Sequence, residues 1–397
     1  MATDSFEASL RRSNEIRADL AVHPEKYRML TGDRPTGRLH LGHYLGSIKN
    51  RVAMQDAGIN CMILIADYQV ITDRDTTANI QDNVYNMVLD YLAAGIDPAK
   101  TTIYVHSAVP ACNQLMLPFL SLVSEAELER NPTVKAEQLA SGHELTGLLL
   151  TYPVHQACDI LFCKGNIVPV GKDQLPHIEQ TRLIARRFNN RYGHVFPEPD
   201  GILSDAIEVP GLDGRKMSKS YGNSIMLGAT AEETAKTIKK SPTDSERKIY
   251  YDKENRPGVS ALLSTASLCT GRTVEDIVDE IGDAGSGALK KLVTEAVNTF
   301  LAPHRERRAE LAKDMDYIKD VLHEGQREGH RHRRGHSAGS VRPWGWCIRA
   351  LRRRREQGPI AQWRSRGLII PWLQVRALLG TPGYFRPIAV AVGLCIT

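Results

Sequence analysis

Three short runs constrain the fold of this chain more than anything else in it: 27–31 (YRMLT), 60–66 (NCMILIA) and 102–106 (TIYVH). The middle run is apolar without interruption, which predicts a strand buried on both faces. Helical periodicity fills the gaps, from about Leu41 to Ala57 and from about 76 to 94. Strands alternating with helices at this spacing predict a parallel sheet with crossover helices, a Rossmann-like α/β architecture. A mainly helical stretch at 112–163 leads to a further strand at 166–170 (NIVPV) and a helix from about 174 to 192. Residues 193–228 are rich in Gly, Pro and Asp and read as a long loop region, and 230–323 is helical almost throughout. The expected organisation is an N-terminal extension (1–23), an α/β parallel-sheet domain (24–228), an all-helical domain (229–325) and an atypical tail (326–397). Within the extension, residues 5–22 form an amphipathic helix carrying Phe6, Leu10, Ile16 and Leu20, expected to be loosely docked.

Charge needs care. The formal net charge is +5, yet 14 of the 51 Lys+Arg and only two of the 46 Asp+Glu fall after residue 325, leaving 37 against 44, a net of −7, for residues 1–325. The total is therefore no argument for a nucleic-acid partner. In the tail Lys and Asp vanish, and all four Trp appear at 344, 346, 363 and 372 among scattered Gly, Pro and Arg. That composition reads as a frame-shifted end rather than a basic arm, which would keep Lys and shed Trp and Leu. No apolar stretch predicts a membrane span, and Met1 to Leu20 mixes acids and bases too evenly for a secretion signal. Seven scattered cysteines with no C-x-x-C predict reduced thiols in a cytoplasmic protein, with no metal site.

Two motifs carry chemistry. In Pro35-Thr-Gly-Arg-Leu-His-Leu-Gly-His43, the first strand's loop enters a helix at His40. A helix N-terminus offers unpaired N–H groups and partial positive charge, suited to phosphate. Glycine at 42 lets a nucleotide approach the backbone, Thr36 can bond a phosphate, and His40 and His43 share one helix face. The plain alternative is a helix start that happens to hold two histidines. Much later, Lys216-Met217-Ser218-Lys219-Ser220 follows Gly211 and Gly214. Two lysines three apart on a mobile loop predict a cationic clamp for a polyphosphate, against the alternative of a solvated surface loop.

The pair H-L-G-H and K-M-S-K-S resembles the double signature of class I aminoacyl-tRNA synthetases. The resemblance covers about 27 to 325 and narrows toward the bacterial tryptophanyl-tRNA synthetases through Thr151–Leu161 (TYPVHQACDIL), Val168–Gln174 (VPVGKDQ), His177–Arg182, Arg187–Asn189 and 243–263. The loop Gly32–Gly37 and the run Ala66–Asp75 are similar to a divergent second group of these enzymes. This resemblance implies that Arg34, Pro35, Thr36, Gly42 and His43 hold ATP, with His40 in the same signature. It implies that Gly171, Lys172 and Asp173 contact adenosine and that Lys216, Met217, Ser218, Lys219 and Ser220 engage the phosphates. His40, His43, Lys216 and Lys219 are the implied catalytic groups. Asp159 would accept the indole N–H of tryptophan, with Tyr152, Gln156 and Gln69 completing that pocket. An indole has one donor and no acceptor, so a buried acceptor is the group that can read it.

The implied reaction uses ATP and Mg²⁺ to activate L-tryptophan, then transfers it to tRNA(Trp), in a homodimer whose helical domain reads the anticodon. Gln156 and Gln69 depart from the more familiar bacterial pattern, which has Met and His there. Tyr152, Gln156 and Asp159 also resemble the amino-acid pocket of tyrosyl-tRNA synthetases, so tyrosine stands as the runner-up. Two further alternatives are a non-charging, tryptophan-binding regulatory paralogue and a small-metabolite adenylyltransferase. Both leave the full K-M-S-K-S clamp or the helical domain without a purpose. Relatives continue past 325 with one more Ala-rich helix, and there the resemblance stops.

Overall fold

The uninterrupted apolar run at 60–66 becomes a central strand, because only a strand flanked on both edges and covered on both faces can bury every side chain. The computed structural model describes residues 2–72, 78–141, 144–203 and 209–339. Its strands are β1 (Arg28–Asp33), β2 (Asn60–Ile65), β3 (Thr101–Val105), β4 (Ile167–Val170) and β5 (Asp200–Leu203). They form one parallel sheet in the order β3-β2-β1-β4-β5. In β2, five of six residues are buried.

Helices α1 (Ala2–Leu20), α2 (Leu41–His43), α3 (Lys49–Asp56) and α4 (Ile80–Ala93) precede or connect the first three strands in sequence. Tyr44–Ile48 joins α2 to α3 as a π-type turn, so the expected helix at 41–57 is continuous but wide in its second turn, a distortion common beside functional sites. Between β3 and β4 come α5 (Met116–Leu120), α6 (Glu125–Glu129), α7 (Pro132–Ser141) and α8 (Gly147–Phe162), and α9 (Leu175–Tyr192) precedes β5. The remainder is helical: α10 (Ala231–Lys239), α11 (Pro257–Thr270), α12 (Val274–Ile281), α13 (Gly285–Leu311) and α14 (Met315–Gly339).

Three expectations change. First, β5 lies inside the stretch read as loop. It is only four residues long, and its outer edge is completed by side chains rather than by another strand. Second, those side chains come from α1, which is firmly docked. Ser13 Oγ accepts the Leu203 N–H at 3.1 Å, Arg17 donates to the Leu203 carbonyl, and Arg12 pairs with Asp200 at 3.0 Å. Ile16 and Leu20 bury with Met29, Met54 and Ile202. Covering an edge in this way satisfies backbone groups that would otherwise template strand pairing. Third, helical structure does not stop at 325, because α14 continues to Gly339. The rest of the tail, including its four tryptophans, lies outside the described residues.

The helical part is not insulated from the sheet. One apolar cluster runs from Ile63, Ile65 and Ile103 through Met87 and Val88 of α4 to Leu262, Val293 and Val297 of α11 and α13. A buried polar bridge crosses the same boundary: Arg308 donates to Asp90 at 2.7 Å, and Asp90 is 1% exposed. Helix α14 presses against β3 so closely that a Cβ on Gly325 would lie 1.8 Å from the Ile103 carbonyl oxygen. Gly325→Val is therefore expected to destabilise the protein by about 1–3 kcal/mol or more. Gly287→Ala on α13, where a Cβ meets nothing within 4 Å, is expected to be neutral or stabilising by up to about 1 kcal/mol. Thermal unfolding of the two variants side by side checks the contrast.

Candidate active site

The strand order places the site. Connections run outward from β1 through β2 to β3 on one side and through β4 to β5 on the other, so the chain reverses direction between β1 and β4. In open parallel sheets, the crevice beyond the carboxyl ends of the strands at such a reversal receives ligands. The loop from β1 to α2 carries Pro35 to His43, and the turn after β4 carries Gly171, Lys172 and Asp173.

Asp33 closes β1 and fixes where that loop begins. It takes a bidentate ion pair from Arg51 of α3, at 2.6 and 3.1 Å, and a hydrogen bond from the Tyr91 hydroxyl of α4. Burial alone would raise the Asp33 carboxyl, but Arg51 and Tyr91 outweigh it and hold it at about 2. Asn83 donates to the Pro35 carbonyl at 3.0 Å, and the Thr36 N–H donates to the Arg34 carbonyl at 2.8 Å. Arg34 is exposed, and Thr36 is half-buried.

His40 then caps α2 in an extended conformation, and its N–H donates to His43 Nδ1 at 3.1 Å. The two rings lie 3.7 Å apart between centroids. Burial lowers His40 to about 3, with His43 and Lys219 adding to the effect; burial likewise lowers His43. Both are neutral N–H donors at neutral pH, able to bond an anion without a buried positive charge beforehand. Gly42 is needed for this packing, since a Cβ there would meet the His40 ring at 3.1 Å.

The second motif comes to the first. The Leu41 N–H donates to the Ile225 carbonyl at 2.8 Å, the Leu227 N–H donates to the Leu39 carbonyl at 3.0 Å, and His40 bridges Met226. Met217 is buried, with its Cβ 3.6 Å from where a Gly42 Cβ would be. Lys219 sets its ammonium 3.4 Å from the corresponding point on Gly37, whose φ of +133° favours glycine. Lys216 is placed differently: it is exposed and lines a cavity with Lys253, Pro257 and Ser264. The expected lysine pair is thus split, with only Lys219 against the histidines in this conformation. Ser218 is anchored through its N–H to Asn223 Oδ1 at 2.8 Å. Ser220 falls within the 3₁₀ turn Lys219–Tyr221, and its side chain lies outside the described residues.

Beyond β4, Lys172 stands over the Phe6 ring at 4.4 Å, and Asp173 accepts from Gln174 at 3.0 Å. A Cβ on Gly171 would come within 2.7 Å of Asp173 Oδ1. These side chains are engaged with α1 and with their own turn.

Helix α8 supplies a buried polar cluster. Asp159 is 5% exposed, and its Oδ1 lies 2.6 Å from His106 Nε2, close but not aligned as a hydrogen bond. His106 stacks on His155 at 4.5 Å. Gln69 reaches the same group through a 2.7 Å contact to His155 Nδ1, while His155 Nε2 meets Asn113 Oδ1 at 2.6 Å. Tyr152 is buried, with its hydroxyl 3.1 Å from His177 Nε2; burial raises the phenol and lowers His177 to about 4. Gln156 is half-buried and makes no side-chain hydrogen bond among the described residues. His106, His155 and Asp159 bring three potential metal-ligand atoms within 4.8 Å, but both ring nitrogens of His155 are already engaged.

Sequence reading missed Asp33, Arg51, Tyr91, Asn223, Asn113, His106 and His155. Only His106 carried a usable signal, since it ends a strand of a parallel sheet, where ligand crevices form. Asn223 is evident only in three dimensions: its amide also donates to Asp213 at 2.7 Å and to the Lys216 carbonyl at 3.1 Å, and a Cβ on Gly211 would collide with it at 2.1 Å.

Residues 23–302 match the family model of tRNA synthetases class I (W and Y). The chain is 42% identical over 314 residues to the tryptophan–tRNA ligase of Lactococcus lactis subsp. lactis, covering 76% of this chain and 92% of that protein. It is similar to a crystal structure of tryptophanyl-tRNA synthetase from Campylobacter jejuni complexed with ADP and tryptophan. That match has a TM-score of 0.70 at 31% identity and covers 78% of this chain and 97% of that one. A tyrosyl-tRNA synthetase from Archaeoglobus fulgidus is similar at a TM-score of 0.54 and 20% identity, covering 71% of this chain and 90% of that one, a likeness of fold alone.

The depressed histidines have a consequence for stability. The unfolded chain protonates His40 near 6.5, whereas the folded chain resists until about 3. As pH falls through that window the unfolded state binds more protons, so stability declines. The melting temperature is expected to drop between pH 7 and 5, and His40→Asn is expected to narrow the drop in calorimetric scans.

Proposed function

The chain belongs to the class I tRNA synthetases of the W and Y family, and from this we infer that it joins L-tryptophan to tRNA(Trp) at the expense of ATP. The observation that carries the reading to this site is the meeting of the two motifs, with Met217 on Gly42 and Lys219 beside Gly37. A triphosphate entering between them would find neutral imidazole donors on one side and an ammonium on the other. In the first step a tryptophan carboxylate oxygen attacks the α-phosphorus, the bond to pyrophosphate breaks, and tryptophanyl-adenylate forms. In the second, the 2′-hydroxyl of the terminal tRNA adenosine attacks the activated carbonyl and AMP leaves. Positioning and charge neutralisation supply the rate, with no covalent bond to the protein.

His40 and His43 act at the α-phosphate and Lys219 at the leaving pyrophosphate, joined by Lys216 if the loop turns it inward. Arg34, Pro35, Thr36 and Gly42 line the nucleotide, with Gly171, Lys172 and Asp173 at its adenosine end. Asp159 takes the indole N–H, and Tyr152, Gln156 and Gln69 border that pocket. Among the described residues no group of three candidate metal ligands lies at either motif. Mg²⁺ would accompany ATP and neutralise charge on its phosphates. Family membership also supports a homodimer, an anticodon-reading role for α10 to α14, and a cytoplasmic setting. No helix among the described residues is long and apolar enough to cross a membrane.

Amino-acid-dependent ATP–pyrophosphate exchange tests the reading, with tryptophan expected to support exchange and tyrosine and phenylalanine not. Acylation of tRNA(Trp) then tests the second step. Exchange with tyrosine in place of tryptophan would transfer the reading to the tyrosine branch. Lys219→Ala is expected to slow adenylate formation about 10²–10³-fold while tryptophan affinity changes little. Stopped-flow activation beside equilibrium tryptophan binding separates the two effects, and equal losses in both would remove the clamp.

A further inference from the structure

A carboxylate at the bottom of an indole pocket faces a physical difficulty. Asp159 is 5% exposed on α8, between buried Cys158 and Ile160, and a buried carboxylate is costly unless it is paired. A neutral acid carries an O–H that itself seeks an acceptor, and an indole N–H cannot provide one. The oxygens of an ionised carboxylate only accept, so the pocket reads indole best when that charge is paired and one oxygen stays directed at the ligand.

His106 answers both requirements. It is fully buried at the carboxyl end of β3, and Nε2 approaches Asp159 Oδ1 at 2.6 Å. Among the described residues Asp159 has no other ion-pair partner. The groups around His106 come from every neighbouring element. His155 and Asp159 lie on α8. Asp67 and the Tyr68 ring lie beyond β2, with Tyr68 at 5.4 Å. Near Asp159 are the Tyr104 hydroxyl of β3 and the Cys112 thiol. Burial pushes His106 down, but the Asp159 charge, with a smaller part from Asp67, leaves it above an ordinary imidazole. His155 is held neutral by burial, with Nε2–H directed to Asn113 and Nδ1 accepting from Gln69. It therefore presents a flat, fixed, uncharged face on which the His106 ring stacks, 14° from parallel.

Resting on the reading that Asp159 takes the indole N–H, we propose that His106 is the positioning residue for that carboxylate: it anchors Oδ1 in a buried ion pair, backed by the His155–Gln69–Asn113 chain, and leaves the other oxygen to select tryptophan. The selection then depends on pH. The ion pair requires His106 protonated and the neutral ring keeps only a neutral N–H for Oδ1, so tryptophan affinity is full below its raised value and falls in part as pH rises through it.

The test uses the full-length chain with His106→Leu and His106→Gln, reading KM for tryptophan and for ATP in pyrophosphate exchange from pH 6 to 9.5. Leu removes the partner and is expected to raise the tryptophan KM roughly 30-fold or more, with the ATP KM little changed. Gln keeps an N–H for Oδ1 but cannot titrate, so it is expected to recover most of that loss and to flatten the alkaline fall in kcat/KM for tryptophan. A Leu variant with the wild-type tryptophan KM, or a Gln variant with the wild-type pH profile, would overturn the proposal while tryptophan activity itself stands. Wild-type protein that shows no tryptophan-dependent exchange would overturn the parent reading as well. Should the Leu variant fail to fold by thermal melting, the pH profile of the Gln variant decides alone.

Discussion

Two backbone hydrogen bonds hold this protein's chemistry together: Leu41 N–H to Ile225 and Leu227 N–H to Leu39. They fasten the loop leaving the first strand to a segment arriving some 185 residues later, and everything at the site is arranged around that junction. Because the contact is between main chains, it sets register rather than side-chain identity. Side chains of particular size then fit into it: a glycine at 42 to admit the His40 ring, a methionine at 217 to seal it, and a glycine at 37 where Lys219 arrives. The Asp33–Arg51–Tyr91 cluster performs the corresponding task one step earlier, fixing the end of β1 against α3 and α4. Breaking such a buried pair by removing one partner leaves an uncompensated charge, which costs about 3–5 kcal/mol.

What was legible in the sequence followed from periodicity and local chemistry. The strands at 27–31, 60–66, 102–106 and 166–170 lie within a residue or two of their positions in the sheet, and the two motifs sit at the loop and turn expected of them. What escaped was set by tertiary partners. The strand β5 has no pattern of its own and exists because β4 and α1 supply its two edges. Helix α1 looked detachable because its apolar stripe is thin, yet three of its polar residues, Arg12, Ser13 and Arg17, make the decisive contacts. The divergence of Lys216 from Lys219 was equally hidden, since spacing alone puts both on one loop and says nothing of which way each turns.

The pocket gives a sharper case. Asp159 stood out through family resemblance, but its partners did not, because His106 and Asn113 come from a segment more than 40 residues before the α8 side chains they meet, and nothing local joins them to His155. In three dimensions His106 approaches the Asp159 carboxylate at 2.6 Å and stacks on His155, which in turn meets Asn113. The same logic operates at the boundary with the helical part, where Asp90 is buried against Arg308 within a continuous apolar cluster. Movement of the helices against the sheet would have to carry that pair along or break it.

The edge contact between α1 and β5 also sets a schedule for biosynthesis. Ser13 meets Leu203 across 190 residues, an interval that a ribosome takes on the order of 10–40 s to synthesise at about 5–20 residues per second. Through that interval the first helix can meet Met29, Met54 and Cys61 of its apolar partners, while Arg12, Ser13 and Arg17 have no edge strand to hold. A nascent-chain holding factor, or slow use of codons near residue 200, would act on this waiting segment before any catalytic group exists to be protected.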